Sequence, residues 1–211
     1  MTQPFIYLAS QSPRRLQLLG QWGVPCETLL PTADEDAEAL EAVLPAEAPR
    51  HYVQRVTRLK LLAALARLQA RGLPPAPVLC ADTTVALGPH ILGKPATAQD
   101  ARDMLARLAG QRHRVLTAVS VGRLGAGQGQ PPQAWHALSE SWVTFQPLTT
   151  DQINGYVATG EPMGKAGAYG IQGLAALWVS RISGSYTGIM GLPACETAQV
   201  LRQAGIALLG D

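Results

Sequence analysis

A short apolar run, Phe5-Ile6-Tyr7-Leu8-Ala9, passes directly into Ser10-Gln11-Ser12-Pro13-Arg14-Arg15, after which apolar residues return at Leu16, Leu18 and Leu19. This order predicts a strand that feeds a helix. Ser12 suits the N-cap, and Pro13 suits the first helical turn, where its missing N–H costs nothing. Arg14 and Arg15 are then misplaced for the helix itself, because the positive end of the macrodipole repels cations. Two arginines, free amides at a helix start and two hydroxyls together make a pocket for a multiply charged anion, most simply a phosphate chain. The alternative is an ordinary capped surface helix that carries two arginines, and this segment alone leaves both open.

The rest of the composition narrows the field. With 47% hydrophobic and 15% charged residues in 211, the chain is globular and long enough to bury a core as one domain spanning residues 1–211. A net charge of +2 argues against nucleic acid or an anionic membrane surface as partner. No segment approaches the ~20 apolar residues that span a bilayer. The first residues lack the basic start and long apolar core of a signal peptide. Cys26, Cys80 and Cys195 show no metal or disulfide spacing and read as buried thiols of a reducing cytoplasm. Of the 17 basic residues only Lys60, Lys94 and Lys165 are lysines, which suggests positions where a compact ammonium is needed in place of a planar fork.

Along the chain, Cys26-Glu27-Thr28-Leu29-Leu30 reads as a second short strand. Residues 31–49 form an acidic loop or short helix in which Asp34, Glu35, Asp36, Glu38 and Glu41 cluster. Helical spacing runs from His51 to Leu68, and residues 78–87 form a β-rich run with a return strand through Ile91. Thr97, with Asp100 three residues on, caps a helix to about Leu108. Residues 113–122 and 135–148 are strands joined by the Gly/Pro-rich loop 125–132. A helix starts at Thr150, residues 165–191 are glycine-punctuated and β-rich, and residues 192–203 form a last helix. Strands and helices alternate without regular βαβ spacing, which predicts an α/β fold with a mixed, strongly twisted sheet flanked by helices.

Asp82 is the main candidate for chemistry, since it sits inside the core-like strand Val78-Leu79-Cys80-Ala81-Asp82-Thr83-Thr84-Val85. A carboxylate there must be paired, metal-bound or open to a cleft; an aspartate in a bulge satisfied by Thr83 or Thr84 is the other reading. Beside an anion pocket it reads as a base for water, or as a ligand for a divalent cation bridging phosphates. Lys94 follows the return strand and would lie near it, and Glu35 is the member of the acidic cluster that could reach a metal. Five glycines between Gly160 and Gly173, with Tyr169 and Gln172 among them, allow close backbone approach to a ligand. Gln172 can both donate to and accept from a base edge. A P-loop, a dinucleotide fingerprint and a serine-hydrolase elbow are all missing.

The Ser-x-Ser-Pro-Arg-Arg turn, the Ala-Asp-Thr strand, Leu-Gly-Lys-Pro and the Gly-Glu-Pro…Lys-Ala-Gly-Ala-Tyr-Gly-Ile-Gln-Gly stretch resemble the Maf-like nucleoside triphosphate pyrophosphatases. So does Gly184-Ser185-Tyr186…Gly191-Leu192-Pro193…Glu196-Thr197. The resemblance runs from about Tyr7 to Leu201. It implies a two-lobed α/β fold with a central cleft, like that of the inosine triphosphate pyrophosphatases, and a cytoplasmic homodimer. It also implies a divalent cation, Mg²⁺ or Mn²⁺, and cleavage of a nucleoside triphosphate to monophosphate and pyrophosphate. By motif, Asp82 matches the proton acceptor, while Ser10, Ser12, Arg15, Lys60 and Lys94 match phosphate-binding positions. Glu35 matches a further polar active-site position and with Asp82 is the expected metal pair, and Arg14, Thr83 and Gln172 match positions tied to base preference. Within the family the chain looks like the dTTP/UTP subgroup, modified pyrimidine nucleotides included. The 7-methyl-GTP subgroup tends to carry a bulky aromatic where Arg14 stands and glutamine where Thr83 stands. A nucleotide-binding regulator of cell division without turnover is the remaining alternative.

Overall fold

The computed structural model describes residues 5–32, 35–36, 39–125 and 130–209; Asp34, Glu38 and residues 126–129 of the expected hairpin loop lie outside them. Seven strands form one mixed sheet: β1 (Ile6–Leu8), β2 (Cys26–Thr28), β3 (Val78–Leu87), β4 (His90–Leu92), β5 (Arg112–Arg123), β6 (Gln133–Phe145) and β7 (Val179–Ser183). Their order is β2-β1-β3-β5-β6-β7, with β4 paired to β3. β1 is parallel to β2 and β3, whereas all other pairings are antiparallel. The helices are α1 (Pro13–Gln21), α2 (Pro49–Ala70), α3 (Ala98–Leu108), α4 (Thr150–Ala158), α5 (Tyr186–Met190) and α6 (Ala194–Gln203). Among the described residues no helix is long and apolar enough to cross a membrane.

Alternation along the long strands builds two apolar layers. Leu116 and Ala118 of β5 pack with Tyr52, Val53 and Val56 of α2, while Val115, Val119 and Val121 turn to the other face with residues of α1, α3, α4 and α6. Gly122 lies under α2, and a Cβ there would meet the Leu61 and Leu65 methyls at 3.1 Å. Glycine is therefore what lets the helix sit this close to the sheet.

Thr97 caps α3 through the expected capping box with Asp100. Two expectations need correction. Ser12 does occupy the N-cap of α1, but its side chain makes no cap bond; its amide instead donates to Ser10 Oγ at 3.2 Å. The stretch 165–191 is not β-rich. It consists of 3₁₀ turns at Ala166–Ala168 and Leu174–Trp178, the short strand β7 and helix α5. Positive φ at Gly164, Gly167 and Ala168 takes the backbone out of the extended region there.

Candidate active site

The sheet has a gap, and the candidate site lies in it. On the edge of β3 away from β5, β1 pairs only as far as Leu79, and β4 begins to pair at Val85. Between them Asp82, Thr83 and Thr84 are held by β5 alone. The chain leaving β1 supplies the Ser10–Arg15 turn, and the chain leaving β4 supplies Gly93 and Lys94. Both line a cleft of about 730 Å³ together with Asp82 and Thr83. At this gap, neighbouring side chains that point to opposite faces of β3 both reach one cavity.

Asp82 points to the α2 face and is 7% exposed. Lys60 Nζ donates to its Oδ1 at 2.5 Å and to Glu41 Oε1 at 2.7 Å; the other Asp82 oxygen has no hydrogen-bond partner among the described residues. Lys94 Nζ reaches Glu41 Oε2 at 2.9 Å. Burial disfavours the charge on Lys60, but Asp82 and Glu41 outweigh it and raise its pKa above the ordinary lysine value. Burial likewise opposes ionisation of Glu41, yet Lys60 and Lys94 hold its carboxyl below the ordinary value.

Each nitrogen of the Arg15 guanidinium makes one bond to the protein, which leaves the second N–H of Nη1 and of Nη2 for a ligand. Nε donates to Gly191 O at 2.8 Å, Nη1 to Ser10 Oγ at 2.9 Å and Nη2 to Thr83 Oγ1 at 3.3 Å. Arg14 Nε donates to Met190 O at 3.3 Å. The carbonyls at the end of α5 thus offset the repulsion that the start of α1 exerts on both arginines. Ser10 Oγ accepts from Arg15 and from the Ser12 amide, so its own proton remains available to a ligand oxygen.

Gln172 lines the same cleft from a turn braced by Glu161. That carboxylate accepts from Tyr156 Oη at 2.9 Å and from the Leu174 amide at 3.1 Å. A Cβ on Gly173 would fall inside the Glu161 carboxylate, so this brace requires glycine. Lys165 also lines the cleft, and it donates to the Glu161 carbonyl.

Nine of the ten singled-out residues therefore face one cavity: Ser10, Ser12, Arg14, Arg15, Lys60, Asp82, Thr83, Lys94 and Gln172. Glu35 does not line it. Arg67 holds the Glu35 carboxylate through Nε at 2.9 Å and Nη2 at 2.5 Å, and mainly these bonds lower its pKa to about 2. The structure does not bring the expected metal pair of Glu35 and Asp82 together; the carboxylate that shares Lys60 with Asp82 is Glu41. Sequence reasoning placed Glu41 only in an acidic cluster. What brings it to the site is α2, whose Tyr52 Oη donates to Glu41 O at 3.0 Å and whose Lys60 takes its side chain. Among the described residues no three His, Cys, Asp or Glu side chains converge as a preformed metal cage. Two carboxylates tied to one ammonium do suit a hard divalent cation that completes its shell with phosphate oxygens.

The family model described as Maf-like protein matches residues 5–204. A "dTTP/UTP pyrophosphatase" of Polaromonas sp. (strain JS666) is 61% identical over 204 residues, covering 97% of this chain and 98% of that protein. One of the same name from Cupriavidus metallidurans is 62% identical over 201 residues, covering 95% and 97%. Among solved structures, a nucleoside-triphosphatase / dITP/XTP pyrophosphatase from Mycobacterium abscessus aligns with 15% identity and a TM-score of 0.38 over 68% of this chain and 74% of that one.

Proposed function

This chain belongs to the Maf-like family, and on that premise we propose that it hydrolyses dTTP and UTP, modified pyrimidine triphosphates included, to the monophosphate and pyrophosphate. One observation carries the reading: Asp82 stands at the sheet gap, paired with Lys60, in a cleft that Arg14, Arg15 and Lys94 also line. A carboxylate that shares a cleft with these four cations suits in-line attack of water on a phosphorus whose leaving group is strongly anionic.

In this reading the phosphate chain lies along the Ser10–Arg15 turn. Ser10 donates its remaining proton, Ser12 and the start of α1 add donors, and Arg15 presents an oriented guanidinium. Asp82 takes the proton of the attacking water. Lys60 orients that carboxylate, and together with Lys94 it neutralises charge on the departing pyrophosphate. Asp82 and Glu41 would hold Mg²⁺ or Mn²⁺, which supplies Lewis-acid neutralisation of the phosphates when bound. Gln172 reads the base edge and Arg14 the neighbouring part of the nucleotide, while Thr83 acts through Arg15. A single domain, a homodimer and a cytoplasmic location belong to the same proposal on the family resemblance.

The relatives' names favour the dTTP/UTP reading over a 7-methyl-GTP pyrophosphatase. The test is a panel of dTTP, UTP, CTP and 7-methyl-GTP with Mg²⁺, scored for pyrophosphate. Release from dTTP and UTP in preference to the others is expected. Tight binding without release would make the protein a nucleotide-binding regulator instead.

A further inference from the structure

Arg15 is tied to α5 twice, once directly and once through two hydroxyls. The direct tie is Arg15 Nε to Gly191 O at 2.8 Å. The indirect one runs from Arg15 Nη2 to Thr83 Oγ1 at 3.3 Å, from there to Thr117 Oγ1 at 2.9 Å, and from Thr117 to Gly188 O at 2.7 Å. Thr117 is 1% exposed and is not among the residues lining the cleft.

The protons of this relay can point only one way. A backbone carbonyl only accepts, so the single Thr117 proton goes to Gly188 O. Thr117 must then accept from Thr83, whose single proton is thereby used. One lone pair of Thr83 then faces a guanidinium that can only donate. Every group is satisfied in the order Arg15, Thr83, Thr117, Gly188 and in no other. The ladder sets the contact, because Thr83 and Thr117 are direct cross-strand partners in β3 and β5 and so point to the same face.

We infer that Thr117 is a positioning residue that orients the Arg15 guanidinium toward the substrate's phosphates through the Thr83 hydroxyl. The inference deepens the proposed activity and rests on Arg15 binding phosphate. Removing the Thr117 hydroxyl leaves the Thr83 proton without its acceptor and lets that side chain rotate off Arg15 Nη2. Arg15 then keeps two of its three anchors and loses the one that holds Nη2.

The experiment measures kcat and KM for dTTP with Mg²⁺ for wild type, Thr117→Val and Thr117→Ser, each with Arg15 intact and with Arg15→Lys. All are assayed well below their melting midpoints. Thr117→Val should lower kcat/KM about tenfold, Thr117→Ser should restore it, and the valine should add no loss beside Arg15→Lys. Near-wild-type activity of Thr117→Val, an equal loss in both Arg15 backgrounds, or no rescue by serine would overturn the inference. If Thr117→Val does not fold, Thr83→Val cuts the same relay at its middle link and must show the same dependence on Arg15. Calorimetry with inorganic tripolyphosphate on the same set reads the relay independently of turnover. A wild type that releases no pyrophosphate would therefore contradict the activity, while the binding series would still decide the role of Thr117.

Discussion

Asp82 is fixed by one ammonium, with Lys60 Nζ at 2.5 Å from Oδ1. Asp82→Asn keeps the size of the side chain but cannot take a proton from water. Turnover of dTTP should fall about 10²–10⁴-fold with the melting midpoint largely kept, as read by pyrophosphate release beside a thermal melt. Residual activity above a tenth of wild type would make Asp82 structural. Gln172 is exposed and lines the cleft. An amide complementary to the 4-oxo edge of uracil faces mismatched groups on cytosine, worth ~1–3 kcal/mol. Gln172→Ala should therefore narrow the gap between UTP and CTP in kcat/KM, whereas Lys94→Ala should slow both alike. A common loss for all nucleotides on Gln172→Ala would exclude base reading. Asp82 was legible in the sequence because an acid inside an apolar strand needs a reason to be there. Glu41 was not, because nothing in an acidic run indicates which member Tyr52 and Lys60 will draw in.

At the scale of elements, α2 organises the approach to the cleft. Its Tyr52 and Lys60 hold Glu41, its Arg55 holds Glu47 and its Arg67 holds Glu35. The periodicity revealed the helix but not this work, since the partners are loop residues with no pattern of their own. β3 was legible with its bounds, Val78–Leu87. The gap beside it was not, because it depends on where β1 and β4 stop pairing. The stretch 165–191 misled because apolar residues between glycines suit an extended strand as well as tight turns. Glu161 supports that stretch, and Gly173 makes room for its carboxylate. Gly173→Ala should push the carboxylate off Tyr156 and Leu174, cost about 1–3 kcal/mol of stability and raise KM for UTP. A variant with wild-type melting and wild-type KM would show that the brace is dispensable.

For the whole molecule, His113 makes stability depend on pH. It is fully buried on β5, edge-on to Phe145 and Tyr169, with Nε2 2.8 Å from Tyr169 Oη. Burial pushes its pKa down from 6.5 to about 4. Between those values the unfolded chain binds the proton and the folded protein does not. The stability from neutral His113 is therefore complete above pH 6.5 and is lost as pH falls toward 4, on the order of 3 kcal/mol. Melting midpoints should decline across that window, and His113→Gln should flatten the decline. Glu35, held at about 2 by Arg67, adds a loss that begins only as pH falls below its ordinary 4.5 toward 2.

In the proposed reaction water attacks the α-phosphorus in the cleft around Asp82. Hydrolysis of dTTP with Mg²⁺ in ¹⁸O-enriched water, followed by mass spectrometry of the products, tests it most directly. The predicted result is unlabelled pyrophosphate and one heavy oxygen in the thymidine monophosphate, with both products lost in Asp82→Asn. Label in pyrophosphate or in orthophosphate, or thymidine diphosphate among the products, would contradict it.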